Sequence, residues 1–190
     1  MFIALTGGIG CGKSAALQYF AECSFECADA DKLCHAYYSR AEGIARIAER
    51  WPSVIDSDGM VDRRKLGNIV FRDENDLAFL EGLIAPFLRQ QLEELRSKTN
   101  PVMVEVPLLF EKNMAPWFDK TVAIWSPFEL RRTRLMQRNW DHAECSRRER
   151  LQWSPEKKLA LADYGLINCG SLELLRMQCC KLAEKILNQK

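Results

Sequence analysis

The chain has 190 residues, 47% apolar and 28% charged, a length that holds one sizeable core rather than two comfortable domains. A formal net charge of +1 supplies no global basic field of the kind that nucleic-acid binding uses. No run of eighteen apolar residues argues for a membrane span, and the first strand-like run has no charged leader ahead of it, which leads to the expectation of a cytoplasmic protein.

Taken along the chain, apolar β-rich runs fall at 2–6, 25–28, 102–106, 121–125 and 164–167. Helical periodicity follows the first run in "KSAALQYFAEC" and precedes the third in "LAFLEGLIAPFLRQQLEELRSK". It follows the fourth in "PFELRRTRLMQRN" and closes the chain in "SLELLRMQCCKLAEKILNQ". Strands alternating with helices predict an α/β fold with a five-stranded parallel sheet covered on both faces. Ligands of such sheets bind at the carboxyl ends of the strands. The long interval between the second and third runs is mostly helical, with a turn signal "DSDG" at 56–59, and is too large for a simple crossover.

Between the first strand and its helix lies "GGIGCGKSA". Gly7, Gly12, Lys13 and Ser14 meet the pattern G-x-x-x-x-G-K-[ST]. Glycines there let backbone N–H groups turn inward around an anion, and the helix that follows points its positive end at the same place. Gly8, Gly10, Cys11, Gly12, Lys13, Ser14 and Ala15 are therefore the expected phosphate-binding residues. Lys13 brings a mobile charge to the β- and γ-phosphates, and the Ser14 hydroxyl is a ligand for Mg²⁺. The Cys11 thiol has two readings, one with a lowered pKa beside the nest and one as a small residue filling the turn.

The chain contains eight cysteines and two histidines, with no C-x-x-C pair. This excludes zinc-type spacing and leaves little basis for a Ser-His or Cys-His pair. Reduced cysteines acting as small apolar fillers are expected.

"ADADKL" places Asp29 and Asp31 at the carboxyl end of the second strand, which in a doubly wound arrangement is expected beside the phosphate loop. Alternation along an extended segment predicts both carboxylates on one side. One can then sit near Mg²⁺ while the other accepts a proton from an attacking hydroxyl. Asp31 is equally readable as a helix N-cap.

Arg134 and Arg138 share a helix face in an arginine-rich stretch from 131 to 150. Three readings stand: a lid that closes on ATP, a solvated face balanced by Glu129, Asp141, Glu144 and Glu149, or contacts to nucleic-acid phosphates. Arg131, Arg132, Arg147 and Arg150 are expected as surface charge. Asn168 in "INCG" reads either as an amide facing an adenine edge or as the cap of a turn.

"LTGGIGCGKS" followed by "DAD" resembles the dephospho-coenzyme A kinases. The resemblance continues through "DGMVDRRKLGNIVF", "LEGLIAP", "VPLLFE", "RLMQR" and "ADYGLINCG", in that order, with Arg148, Gln152 and Lys158 at the family's spacing. It implies a three-layer P-loop kinase fold whose core covers about 1–31, 100–130 and 158–190, with a helical acceptor-binding insert at about 32–95 and an arginine-bearing lid at about 131–157. It implies transfer of phosphate from ATP to the ribose 3′-hydroxyl of dephospho-CoA, the last step of coenzyme A synthesis. Mg²⁺ is the implied cofactor, and the implied protein is a monomer or weak homo-oligomer without nucleic-acid or membrane partners. Asp31 matches the family's general base, so that Asp31, Lys13 and Arg138 form the implied catalytic set. Asp29, Asp31, Arg63, Pro107, Leu108 and Glu111 are the implied acceptor residues, and Asp29 is implied to support either Mg²⁺, through water, or the acceptor. The chain departs from the family at Ala85, where histidine is usual, at Arg131 for glutamine, at Asn139 for aspartate and at Ala15 for threonine. Another small hydroxyl acceptor, or a nucleotide-binding paralogue without transfer chemistry, is the alternative.

Overall fold

A computed structural model describes residues 1–137 and 149–188. Five strands form one parallel sheet: β1 Phe2–Gly7, β2 Glu26–Asp29, β3 Val102–Glu105, β4 Lys120–Trp125 and β5 Tyr164–Ile167. Their order is β2-β3-β1-β4-β5. All five coincide with the expected apolar runs to within one residue at either end.

The chain divides into two compact units, residues 1–29 with 98–190, and residues 30–97. The first holds the sheet. Ile3 and Leu5 of β1 face a core shared with α1 (Lys13–Glu22) and the final helix α8 (Leu172–Leu187), where Ala16 and Phe20 meet Leu175, Cys179, Leu182, Ala183 and Ile186. Period-two alternation sends Phe2 and Ala4 to the opposite face, where Phe2 stacks on Phe118 at 4.7 Å. Burying each large apolar side chain contributes about 1.5–3 kcal/mol, so this continuous core is what makes a purely parallel sheet stable. On β4 and β1 also rests α7 (Pro155–Leu161), begun by Ser154, whose hydroxyl accepts from Lys157 N, with Pro155 at its first position. Between β4 and α7 lies α6 (Phe128–Met136).

The second unit is helical: α2 (Ala30–Tyr37), α3 (Ala41–Arg50), α4 (Arg63–Val70) and the long α5 (Glu74–Arg96). Tyr37, Ile47, Trp51, Val54, Leu66, Val70, Leu80 and Ile84 form its own core. Asp62 and Asp73 cap α4 and α5, each carboxylate accepting two backbone N–H groups. The "DSDG" turn is as expected: Gly59 has a φ of 76°, Asp56 Oδ1 accepts from the N–H of Asp58 and Met60, and Ile55 bridges Val61. Ala85 lies exposed on α5.

Two expectations about the second strand need correction. It is not beside the phosphate-loop strand, because β3 lies between them. Nor is the segment extended through Asp31. Helix α2 begins at Ala30, so Asp29 ends a strand while Asp31 sits in the first turn of a helix. Asp31 is therefore not an N-cap, and its carboxylate instead stands where the helix dipole favours negative charge.

Candidate active site

The turn from β1 into α1 has the shape that its glycines allow. Gly10 and Gly12 have φ values of 77° and 99°. A Cβ on Gly12 would meet Nδ2 of Asn168 at 2.4 Å, and one on Gly10 the Arg131 carbonyl oxygen at 2.9 Å. Helix α1 then opens at Lys13, and its first N–H groups have no acceptor within the helix, which leaves them for an anion. Lys13 is 9% exposed, and its Nζ donates to the carbonyls of Gly7 at 3.2 Å and Gly8 at 3.3 Å. The ammonium is thus folded back over the loop on two neutral acceptors, contacts that a phosphate oxygen exceeds in strength.

Behind the loop lies a support that sequence reasoning assigned otherwise. Asn168, 2% exposed, donates from Nδ2 to the Cys11 carbonyl at 2.8 Å. Its Oδ1 accepts from Arg134 Nη2 at 3.2 Å, and so does its main-chain oxygen. Arg134 Nη1 donates to Ser126 Oγ at 2.9 Å and to the Gly10 carbonyl at 3.4 Å. The one hydrogen of Ser126 Oγ goes to the Asn168 carbonyl, the nearest acceptor at 2.6 Å. Arg134, Ser126 and Asn168 together hold the carbonyls of Gly10 and Cys11 to the rear, which directs the loop's N–H groups forward. Arg134 is half-buried, not a solvated face. Its companion Arg138 lies outside the described residues, as do Asn139, Arg147 and Arg148.

At the front of the loop, Ser14 Oγ stands 3.5 Å from Glu105 Oε2. Glu105 ends β3 and pairs in register with Asp29, which ends β2. A hydroxyl and two carboxylates at adjacent strand ends are hard oxygen donors of the kind that Mg²⁺ takes with retained waters, so these residues fit that ion. Glu105 escaped the sequence reading, although a charge inside the run "VMVEV" was its signal.

Pro107, Leu108 and Glu111 occupy the turn after β3. Glu111 does not stand open to a ligand from all sides: its Oε1 pairs with Lys158 Nζ at 2.8 Å and accepts the Trp153 N–H at 2.7 Å, whereas its Oε2 is buried without a hydrogen bond. Lys158 is fully buried and also donates to the Pro107 carbonyl. Burial pulls the Lys158 ammonium below its ordinary pKa, and Glu111 opposes that pull. Removing one member of a buried pair leaves the other charge uncompensated, at a cost of about 3–5 kcal/mol. Lys158→Met is expected to lose that much in urea unfolding, and Lys158→Met with Glu111→Leu to recover most of it; equal losses in both would show that the pair is not what holds this turn.

Arg131 corrects a second expectation. It is not surface charge but 7% exposed, ion-paired with Glu149 at 2.6 Å and donating to the Ile9 carbonyl at 3.2 Å. With Gly8, Gln152, Trp153 and Pro155 it lines a pocket of about 230 Å³ beside the loop, and Arg131 Nε and Gln152 Oε1 are buried there without partners. The Cys11 thiol is fully buried, and burial pushes its pKa up against the lowering by Lys13 and Arg131. The lowered-pKa reading is thereby overturned, and Cys11 is a small apolar residue in the turn. Ala15 packs against the same core.

Within the second unit, Asp31 and Arg63 both bear electrostatically on Tyr38. Burial pushes the Tyr38 phenol up to about 12, with Cys34 and Asp31 adding to the rise and Arg63 opposing it. Two of the expected acceptor residues, 32 positions apart in sequence, thus act electrostatically on one phenol.

Comparison with known proteins agrees with this architecture. The family model described as dephospho-CoA kinase matches residues 1–173. A dephospho-CoA kinase of Aquifex aeolicus is 33% identical over 189 residues, covering 97% of this chain and 96% of the relative. A crystal structure from Thermus thermophilus superposes with a TM-score of 0.86 at 34% identity, covering 97% of both chains. A dephospho-CoA kinase from Campylobacter jejuni superposes with a TM-score of 0.74 at 27% identity, covering 97% of this chain and 96% of that one.

Proposed function

The chain belongs to the dephospho-CoA kinase family, and from that membership we propose that it transfers the γ-phosphate of ATP to the 3′-hydroxyl of dephospho-CoA. The observation that carries the details is the phosphate loop, with Lys13 folded over its carbonyls and Ser14 beside Glu105.

In this reading the loop N–H groups and Lys13 bind the β- and γ-phosphates, and Arg134, Ser126 and Asn168 keep the loop in shape for them. Ser14, Glu105 and Asp29 would hold Mg²⁺. An ion held by these residues would supply positive charge that offsets the charge of the phosphates. Asp31 accepts the proton of the attacking ribose hydroxyl. The unit of residues 30–97, which carries Asp31 and Arg63, takes the acceptor, with Pro107, Leu108 and Glu111 in support. Arg138 and the stretch around it serve as the lid. The protein acts in the cytoplasm as a monomer or weak homo-oligomer; no helix among the described residues is long and apolar enough to cross a membrane.

The test is ADP release with Mg-ATP, with and without dephospho-CoA, together with the mass of the product. A Mg²⁺-dependent gain of one phosphate on dephospho-CoA is expected. ATP binding with no transfer to dephospho-CoA overturns the reading and directs attention to another hydroxyl acceptor.

A further inference from the structure

Seven described cysteines are free thiols, and two of them, far apart in sequence, meet. Cys23 follows the last residue of α1, and Cys180 lies within α8; their sulfurs are 3.2 Å apart. A disulfide sulfur pair is about 2.05 Å apart, so bonding requires a closure of little more than an ångström, within reach of small side-chain torsions. The two helices are already held together on both sides of the pair. Phe20 and Ala16 of α1 share a core with Leu175, Cys179 and Leu182 of α8, and Glu22 pairs with Arg176 at 3.0 Å. Both sulfurs belong to partly exposed residues, which admits a small oxidant, whereas neighbouring Cys179 is fully buried. The cluster is not a metal site: among the described residues, no three His, Cys, Asp or Glu side chains are arranged to hold an ion.

We propose that Cys23 and Cys180 form a dithiol modification site that a low-molecular-weight disulfide oxidises to an intramolecular bond fastening α1 to α8. One thiolate attacks a sulfur of the small disulfide, forming a mixed disulfide and releasing one small thiol. The second protein thiolate then attacks the protein sulfur of that mixed disulfide, and the other small thiol leaves. The protein loses two electrons and two protons in total, and the small disulfide becomes two thiols. The second attack is intramolecular across 3.2 Å, so the mixed intermediate does not persist. Cys27 and Cys169, which are exposed, have no such neighbouring sulfur given by the structure and stop at the mixed disulfide.

The experiment incubates the dilute full chain with oxidised glutathione, maps its peptides without reduction and follows thermal unfolding. The expected result is a Cys23–Cys180 linked peptide pair about 2 Da lighter than the two thiol peptides, reversed by dithiothreitol. Because the bond closes a loop of more than a hundred residues, the midpoint is expected to rise by roughly 5–15 °C. Cys23→Ser and Cys180→Ser are each expected to abolish the link and the rise, and Cys27→Ser to leave both; should one of the first two variants fail to fold, the other decides. Separate glutathione adducts on Cys23 and Cys180, a link persisting in Cys180→Ser, or a link without a rise in midpoint would overturn the proposal.

Discussion

Replacing Asp31 with alanine is expected to lower kcat by about 10²–10⁴-fold while leaving nucleotide affinity within a few-fold. The carboxylate sits in the first turn of α2, and the shown supports of the phosphate loop are Arg134, Ser126 and Asn168. If Asp31 is the proposed base, its loss removes the acceptor of the ribose proton while these supports remain. Asp31→Asn is the sharper variant, because it keeps the volume and shape of the side chain while abolishing the basicity. Single-turnover transfer to dephospho-CoA, measured beside equilibrium ATP binding, separates the two effects. Near-normal turnover in Asp31→Asn would show that the base is elsewhere. Equal damage to binding and turnover would make Asp31 a structural part of the nucleotide site.

The difference between Asp31 and Asp29 also shows where sequence reasoning reached its limit. The five strands were legible because each is a short apolar run bounded by turn residues, and burial on both faces needs little more. Strand order was not legible. It is decided by which strands the helices cover, and the neighbour of β1 on that side is β3, more than seventy residues beyond β2. The same non-locality hid Arg131 and Asn168. An arginine in a charged stretch reads as solvated unless a partner is known, and the partner of Arg131 is Glu149, eighteen residues away. Asn168 follows a strand as a turn cap would, yet its amide holds a carbonyl 157 residues back in the chain. By contrast, the loop glycines were legible one by one, because positive φ and close backbone approach are local demands that few other residues meet. Ser126, the buried hydroxyl between Arg134 and Asn168, carries no signal in its own neighbourhood.

Lys13→Ala is expected to damage both binding and transfer, with kcat lower by about 10²–10³-fold and a raised KM for ATP. Among the described cations at the loop, Lys13 is the one held by loop carbonyls only. Arg134 is engaged with Gly10, Ser126 and Asn168, Arg131 with Glu149 and Ile9, and Lys158 with Glu111 and Pro107. Of these four, Lys13 alone has only main-chain carbonyls of the loop among its shown acceptors, so a γ-phosphate would gain its charge without breaking an ion pair. The attraction of that charge strengthens as negative charge redistributes over the transferring group, so kcat is expected to fall as well as affinity. Lys13→Arg is not expected to restore activity. At 9% exposure between the Gly7 and Gly8 carbonyls there is room for a compact ammonium but not for a planar fork with five donors. Steady-state kinetics with ATP varied at saturating dephospho-CoA measure both terms. A Lys13→Ala enzyme with raised KM and unchanged kcat would show that the lysine holds the nucleotide without assisting the transfer.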